Sequence, residues 1–136
     1  MYIRGDKIQE ENKSGDLIRT LYIEPHKEPC VKEIPNTLEA QQEAVQGRIE
    51  YIINDDGTIF VVNEEHKING MEGNRRIEGD VIAGPFFIVG DAGEDVCSLT
   101  DEQIERYTKR FETPEDISPL EIFESIIQPA MFTHRI

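Results

Sequence analysis

The chain reads as an α+β protein on a mostly antiparallel sheet of about five strands, with one helix after the first hairpin and two C-terminal helices. Three observations predict this. Short apolar or alternating runs closed by proline, Asx or glycine fill the chain up to Gly90. Two of those runs flank an Asn-Asp-Asp-Gly turn, and regular helical spacing of apolar residues dominates only after Ser98. Strands first and helices last, with sequence neighbours paired antiparallel, separate this class from a parallel α/β arrangement.

Met1–Asp16 is polar and reads as a leader or a short edge strand. Leu17–Ile23 (LIRTLYI) mixes aliphatic and aromatic residues and stops at Glu24-Pro25, a strand with a proline boundary. Cys30–Ile34 (CVKEI) alternates apolar and charged residues, as a half-exposed strand does, and the connection from Pro25 to Pro29 makes the two a hairpin. Asn36 is positioned to cap a helix, with Glu39 as its capping-box partner and Gly47 as the stop. Arg48–Ile53 and Thr58–Val62 form a second hairpin around Asn54-Asp55-Asp56-Gly57.

Lys67–Arg76 has glycines at 70 and 73 and no clean periodicity, so it reads as a structured loop. Asp80–Val89 reads as a long buried strand in which Gly84-Pro85 marks a bulge or an edge position. Thr100 caps the next helix with Gln103 reaching back, and Ile104, Tyr107 and Phe111 form its buried face. Thr113-Pro114 breaks that helix. Ser118-Pro119 starts the last one, Leu120, Phe123, Ile126 and Ile127 line one side of it, and Pro129 is expected to end it. The expected organisation is one domain over 1–136, with a leader to 16, a core from 17 to 111 and a helical extension from 113.

Charge narrows the function. With 28 acidic against 14 basic residues the net charge is −14, a field that repels phosphates and disfavours direct nucleic-acid binding. It suits a basic protein partner, or imitation of a nucleic acid. Cys30 and Cys97 are too few and too far apart for a disulfide framework or a zinc site. Met1–Asn12 lacks the apolar stretch of a signal peptide, and no run approaches a membrane span. A soluble, cytoplasmic protein is expected.

Signatures of catalysis are missing. No phosphate loop, dinucleotide-binding glycine fingerprint or nucleophile elbow is present. His26, His66 and His134 lack the spacing of a helical metal pair. His66 beside Glu64 and Glu65 is the one arrangement suited to proton transfer, and a solvated turn explains the same residues. The expectation is a protein with no catalytic residues, metal or cofactor.

The segment Thr58–Gly90 differs in kind. Asn63 leaves an apolar strand, and Lys67, Asn74, Arg75 and Arg76 concentrate donors and positive charge in an otherwise acidic chain. Arginine grips phosphate or carboxylate bidentately, and Gly70 and Gly73 let backbone amides approach an anion. These residues predict a small anionic-ligand pocket, with Phe86 or Phe87 stacking on a base. The competing reading is a surface loop whose arginines pair with the protein's own carboxylates.

Several blocks in order carry a family resemblance: Thr37-Leu38-Glu39-Ala40 with Gln46-Gly47, Asn63-Glu64-Glu65 with Lys67 and Asn74-Arg75, Asp80–Gly84 with Phe87–Gly90, and Ser98–Ile104 with Tyr107. Over Leu17 to Phe111 the chain resembles a family of small bacterial proteins defined only as a domain of unknown function, carried by phages, plasmids and conjugative elements. The resemblance implies no reaction. It implies a host bacterial cytoplasm and an accessory, counter-defence setting.

Two functions follow as expectations. The first is a non-enzymatic protein that sequesters a nucleotide-like anion through Asn63, Lys67, Asn74, Arg75, Arg76 and Phe87. The second is an acidic mimic of nucleic acid that inhibits a basic nuclease or DNA-binding protein. Asp91–Ile136 carries eleven acidic and four basic residues, hence −7, for that purpose. A homo-oligomer is expected under either, since ligand sequestration often occurs between subunits and Ile126–Phe132 is apolar.

Overall fold

The two most apolar runs become the two central strands of a sheet covered on both faces, which is why they show no alternation. The structure is a computed structural model and describes residues 16–135. The leader expected over 1–16 therefore lies outside the described residues, apart from Asp16. In chain order the elements are β1 (Leu17–Ile23), β2 (Cys30–Pro35), α1 (Leu38–Val45), β3 (Ile49–Ile53), β4 (Thr58–Asn63) and β5 (Gly73–Ile77). They continue with β6 (Asp80–Ala83), β7 (Phe86–Asp91), β8 (Val96–Cys97), α2 (Asp101–Arg110) and α3 (Pro119–Arg135). The fold is α+β.

The main sheet runs β2-β1-β7-β4-β3, with β8 added to the end of β7, and every pairing is antiparallel. Alternate residues of β4 and β7 face opposite sides. Ile59, Val61, Phe87 and Val89 pack with Ile18, Ile34 and Val45 beneath α1. Phe60, Val62, Phe86 and Ile88 pack with Leu21, Ile23, Leu99, Tyr107 and Phe111 beneath α2. Phe60, Phe86 and Phe111 meet edge-on or tilted with centroids 5.7 to 5.9 Å apart, a geometry that suits the ring quadrupoles.

The helix starts follow their sequence signals closely. Thr100 and Gln103 form the expected capping box, at 3.1 and 2.9 Å. Ser118 accepts from Glu121 N–H at 3.1 Å and begins α3. At α1 the cap is Thr37, one residue later than Asn36, and its hydroxyl accepts from Ala40 N–H. The hairpin turn at Asn54–Gly57 is present. Asp56 accepts from both the backbone N–H and the hydroxyl of Thr58, and its other oxygen accepts from Tyr107 and Arg106.

Three features differ from expectation. The segment read as a loop over Lys67–Arg76 contains β5, which forms a separate two-stranded hairpin with β6. Glu78 and Gly79 close it at φ 25° and 82°, the hand that two-residue hairpin turns prefer. The single strand expected over Asp80–Val89 is two strands. Gly84 takes φ 76° and Pro85 follows, so the chain leaves the hairpin and enters the main sheet within two residues. Pro129 does not end α3, which continues to Arg135, because loss of one N–H need not break a helix.

α3 lies on the small hairpin through Ile117 and Ile122, which pack with Val81, Ala83 and Met71. Leu120, Phe123, Ile126 and Ile127 of the same helix are exposed. The side chains of the apolar stretch beyond Ile127 lie outside the described residues. Among the described residues no helix is long and apolar enough to cross a membrane.

Candidate functional site

The structure gives each of the six residues nominated from sequence a partner within the protein. Asn63, the last residue of β4, donates to the carbonyls of Val45 and Gln46 at 3.0 and 3.2 Å, and accepts from Glu65 N–H at 2.7 Å. It therefore caps the C-terminal end of α1, where carbonyls are left over. This explains Gly47: a Cβ there would lie 2.6 Å from the Asn63 amide nitrogen. The left-handed residue that stops α1 is Gln46, at φ 65°.

Asn74 and Arg75 form one buried unit in β5. Asn74 donates to Ile23 and Gly84 carbonyls at 3.0 and 2.8 Å, joining β1 to the break between β6 and β7. Arg75 is fully buried. Its Nε and Nη2 donate to Phe111 O at 3.1 and 2.9 Å, Nη2 also to Lys27 O at 2.6 Å, and Nη1 to the backbone and side-chain oxygens of Asn74 at 3.1 and 2.8 Å. All five N–H donors of the guanidinium are engaged. Burial lowers its pKa and nearby Glu115 partly offsets that.

Arg76 points the other way and is exposed. It grips Glu121 through Nε and Nη2 at 2.7 and 2.8 Å and reaches Glu115 at 3.1 Å. The Glu121 hydrogen bond raises the arginine pKa, and the same contact lowers that of Glu121. Lys67 is held by Asp80. Phe87 lies under α1, and Phe86 lies in the aromatic cluster on the opposite face. The six do not converge on one opening. An anion would have to displace internal bonds to use Asn63, Asn74 or Arg75, and to outcompete carboxylates for Lys67 and Arg76.

His66 is structural as well. Buried, it accepts from Ala83 N–H at Nδ1, 3.0 Å away. Burial, reinforced by Lys67 and opposed by Asp80, lowers its pKa to about 4. Glu64 and Glu65 are exposed, and Glu64 pairs with Arg48 at 3.3 Å. These three residues do not form a catalytic group with one another.

The open surface lies along α3. A groove of about 660 Å³ runs between α3 and the 67–73 segment, lined by the apolar Met71, Ile117, Ile122, Phe123 and Ile126 and by the polar His26, Lys67, Glu72 and Asp116. A second, about 560 Å³, lies on the other side of the helix beside Arg76, Leu120 and Glu124. Sequence reasoning found the apolar stripe of α3, but nothing in it showed that Ile122 faces the fold and Phe123 does not.

Other cations are also engaged: Arg19 with Asp101, Lys27 with Glu24, and Arg106 with Asp56. Lys32 lies over the Tyr22 ring, and Arg110 over those of Phe111 and Tyr107. Carboxylates such as Glu102, Glu105, Glu112, Asp116 and Glu124 remain at the surface.

No curated protein and no solved structure matches the chain. A family model does match residues 18–112, from β1 to just beyond the Phe111 carbonyl that Arg75 holds. On that match, the chain belongs to the family described as the domain of unknown function DUF3846.

Proposed function

We propose that the chain is a non-enzymatic, acidic interaction protein that binds a basic protein partner, in the manner of a nucleic-acid mimic. One observation carries the reading. Arg75 is buried on main-chain carbonyls and Arg76 and Lys67 are paired with Glu121, Glu115 and Asp80, while Glu102, Glu105, Glu112 and Glu124 stay exposed, so the surface offered to a partner is predominantly acidic. Acidic surface steers a basic partner by long-range attraction, and the exposed stripe of α3 supplies apolar area that charge alone lacks. The biological setting we attach is the one implied by resemblance, a counter-defence accessory protein of a mobile element acting on a nuclease or DNA-binding protein.

The test is retention of purified basic nucleic-acid-binding proteins on the immobilised chain at about 50 and about 500 mM NaCl, with and without duplex DNA as competitor. Retention should fall steeply with salt and with DNA. Retention indifferent to both removes the mimicry. A large thermal stabilisation by nucleotides instead, abolished by Arg76→Ala, would return the function to anion binding.

A further inference from the structure

The main sheet ends in β2 on one side and β3 on the other, and the two edges differ in kind. Across β1 and β2, Asn36 N–H bonds to Asp16 O, in register with Ile18↔Ile34. That parity turns the backbone of Val31, Glu33 and Pro35 outward. Pro35 has no N–H to offer, and Lys32 and Glu33 place charge on the strand, so this edge is blunted.

β3 has no such protection. Asn54 N–H bonds to Thr58 O and Arg48 O accepts from Glu64 N–H, so even-numbered residues bond to β4. The N–H and C=O groups of Ile49, Tyr51 and Ile53 therefore point away from the sheet, and among the described residues no strand meets them. The strand reads Ile-Glu-Tyr-Ile-Ile, with no proline and one charge, and Tyr51 and Ile53 are 40% and 66% exposed. An apolar, uninterrupted edge of this kind is a template for pairing.

We propose that a second copy of this chain pairs antiparallel along β3, with Tyr51 at the two-fold axis. The register is self-complementary. Ile49 stands opposite the partner's Ile53, Tyr51 opposite the partner's Tyr51, and Glu50 opposite the partner's Ile52, so no two carboxylates oppose each other. Asn54 stands opposite the partner's Arg48, which brings exposed Asp55 beside that guanidinium at both ends. A strand from an unrelated protein satisfies the same backbone groups, but a second copy brings an arginine to each Asp55. This local complementarity is what draws together two molecules that each carry −14.

The test uses the full chain with Cys30 and Cys97 changed to serine. In a hydrogen-bonded antiparallel pair facing Cα atoms lie about 5.5 Å apart, within disulfide reach. Tyr51→Cys should form a covalent dimer on mild oxidation. Ile53→Cys should not, because the two thiols would sit four residues apart, roughly 13 Å. In the unsubstituted chain, amide exchange at Ile49, Tyr51 and Ile53 should slow as concentration rises, while Glu50 and Ile52 stay protected throughout. Arg48→Asp should weaken the dimer about tenfold and Arg48→Asp/Asp55→Arg should restore it. A disulfide through position 53 overturns the register. Protection at 49, 51 and 53 independent of concentration shows the chain's own termini covering the edge and overturns the proposal, as does a monomer by native mass spectrometry at about 100 μM.

Discussion

Arg75 fastens the C-terminal end of α2 to the small hairpin: its Nε and Nη2 both donate to the carbonyl oxygen of Phe111, at 3.1 and 2.9 Å. The neighbouring Arg76 makes charged contacts of similar length at the surface. Environment makes the two arginines unequal. A buried donor set that loses its hub leaves carbonyls unsatisfied and a cavity, whereas an exposed ion pair is replaced by water.

Arg75→Met should therefore destabilise the chain by about 3 kcal/mol, with Arg75→Lys nearly as harmful because an ammonium cannot reproduce the five-donor fork. Arg76→Met should cost less than about 1 kcal/mol, and raising NaCl should shrink that difference further. Urea titration of the three variants decides it. Equal costs at the two positions would mean that the Arg75 contacts do not hold the fold.

His66 gives a pH signature. Its pKa is about 4 in the folded chain against roughly 6.5 when unfolded, so between those values the unfolded state binds the extra proton. Stability from the neutral ring is complete above about pH 6.5 and is lost as pH falls towards 4. At pH 5.5 the loss should be on the order of 1.4 kcal/mol relative to pH 7.5. His66→Gln should flatten that part of the curve while carboxylate titration remains. Urea midpoints of both proteins at the two pH values measure it, and parallel curves would show that His66 does not titrate this way.

Gly84→Ala should cost about 2 kcal/mol. The site has φ 76°, and an added methyl would collide with the Met71 side chain. Met71→Ala in the same chain should recover part of the cost, the part due to collision, and leave the backbone part. Thermal unfolding of the single and double variants separates the two.

Tyr107 and Asp56 should be coupled. The tyrosine hydroxyl donates to Asp56, which also accepts from Thr58, so α2 is tied to the β3–β4 turn. Burial and then the carboxylate raise the pKa of Tyr107. For Asp56, burial opposes the hydrogen bonds from Thr58, Tyr107 and Arg106, which prevail and lower it. A double-mutant cycle of Tyr107→Phe and Asp56→Ala should return a coupling energy of about 1 kcal/mol. Additive effects would show the contact to be incidental.

Local chemistry was legible and side-chain destination was not. The Asn-Asp-Asp-Gly turn, the Thr100–Gln103 capping box and the burial of Tyr107 and Phe111 are decided within a few residues of sequence, and the fold follows them. The break at Gly84-Pro85 was visible as a bulge but not as a change of sheet, because that depends on what Asn74 ties together across the chain. Polar residues in a glycine-containing segment look alike whether they face solvent or backbone carbonyls. Arg75 and Arg76 are adjacent and identical in type, and only strand alternation sends one inward. The open edge of β3 was within reach from the absence of proline and the single charge at Glu50, once Ile49–Ile53 is known to be an outer strand.

Arg75 grips oxygens of the main chain at Lys27, Asn74 and Phe111, plus one side-chain amide. Main-chain oxygens do not change when a codon does. Position 27 is thus free to drift among related chains without loosening this fastening, and position 111 is limited only by the aromatic packing of its own ring. Positions 74 and 75 have no such freedom, because their side chains make the bonds, so sequence variation across the family should fall on position 27 and spare the pair that grips.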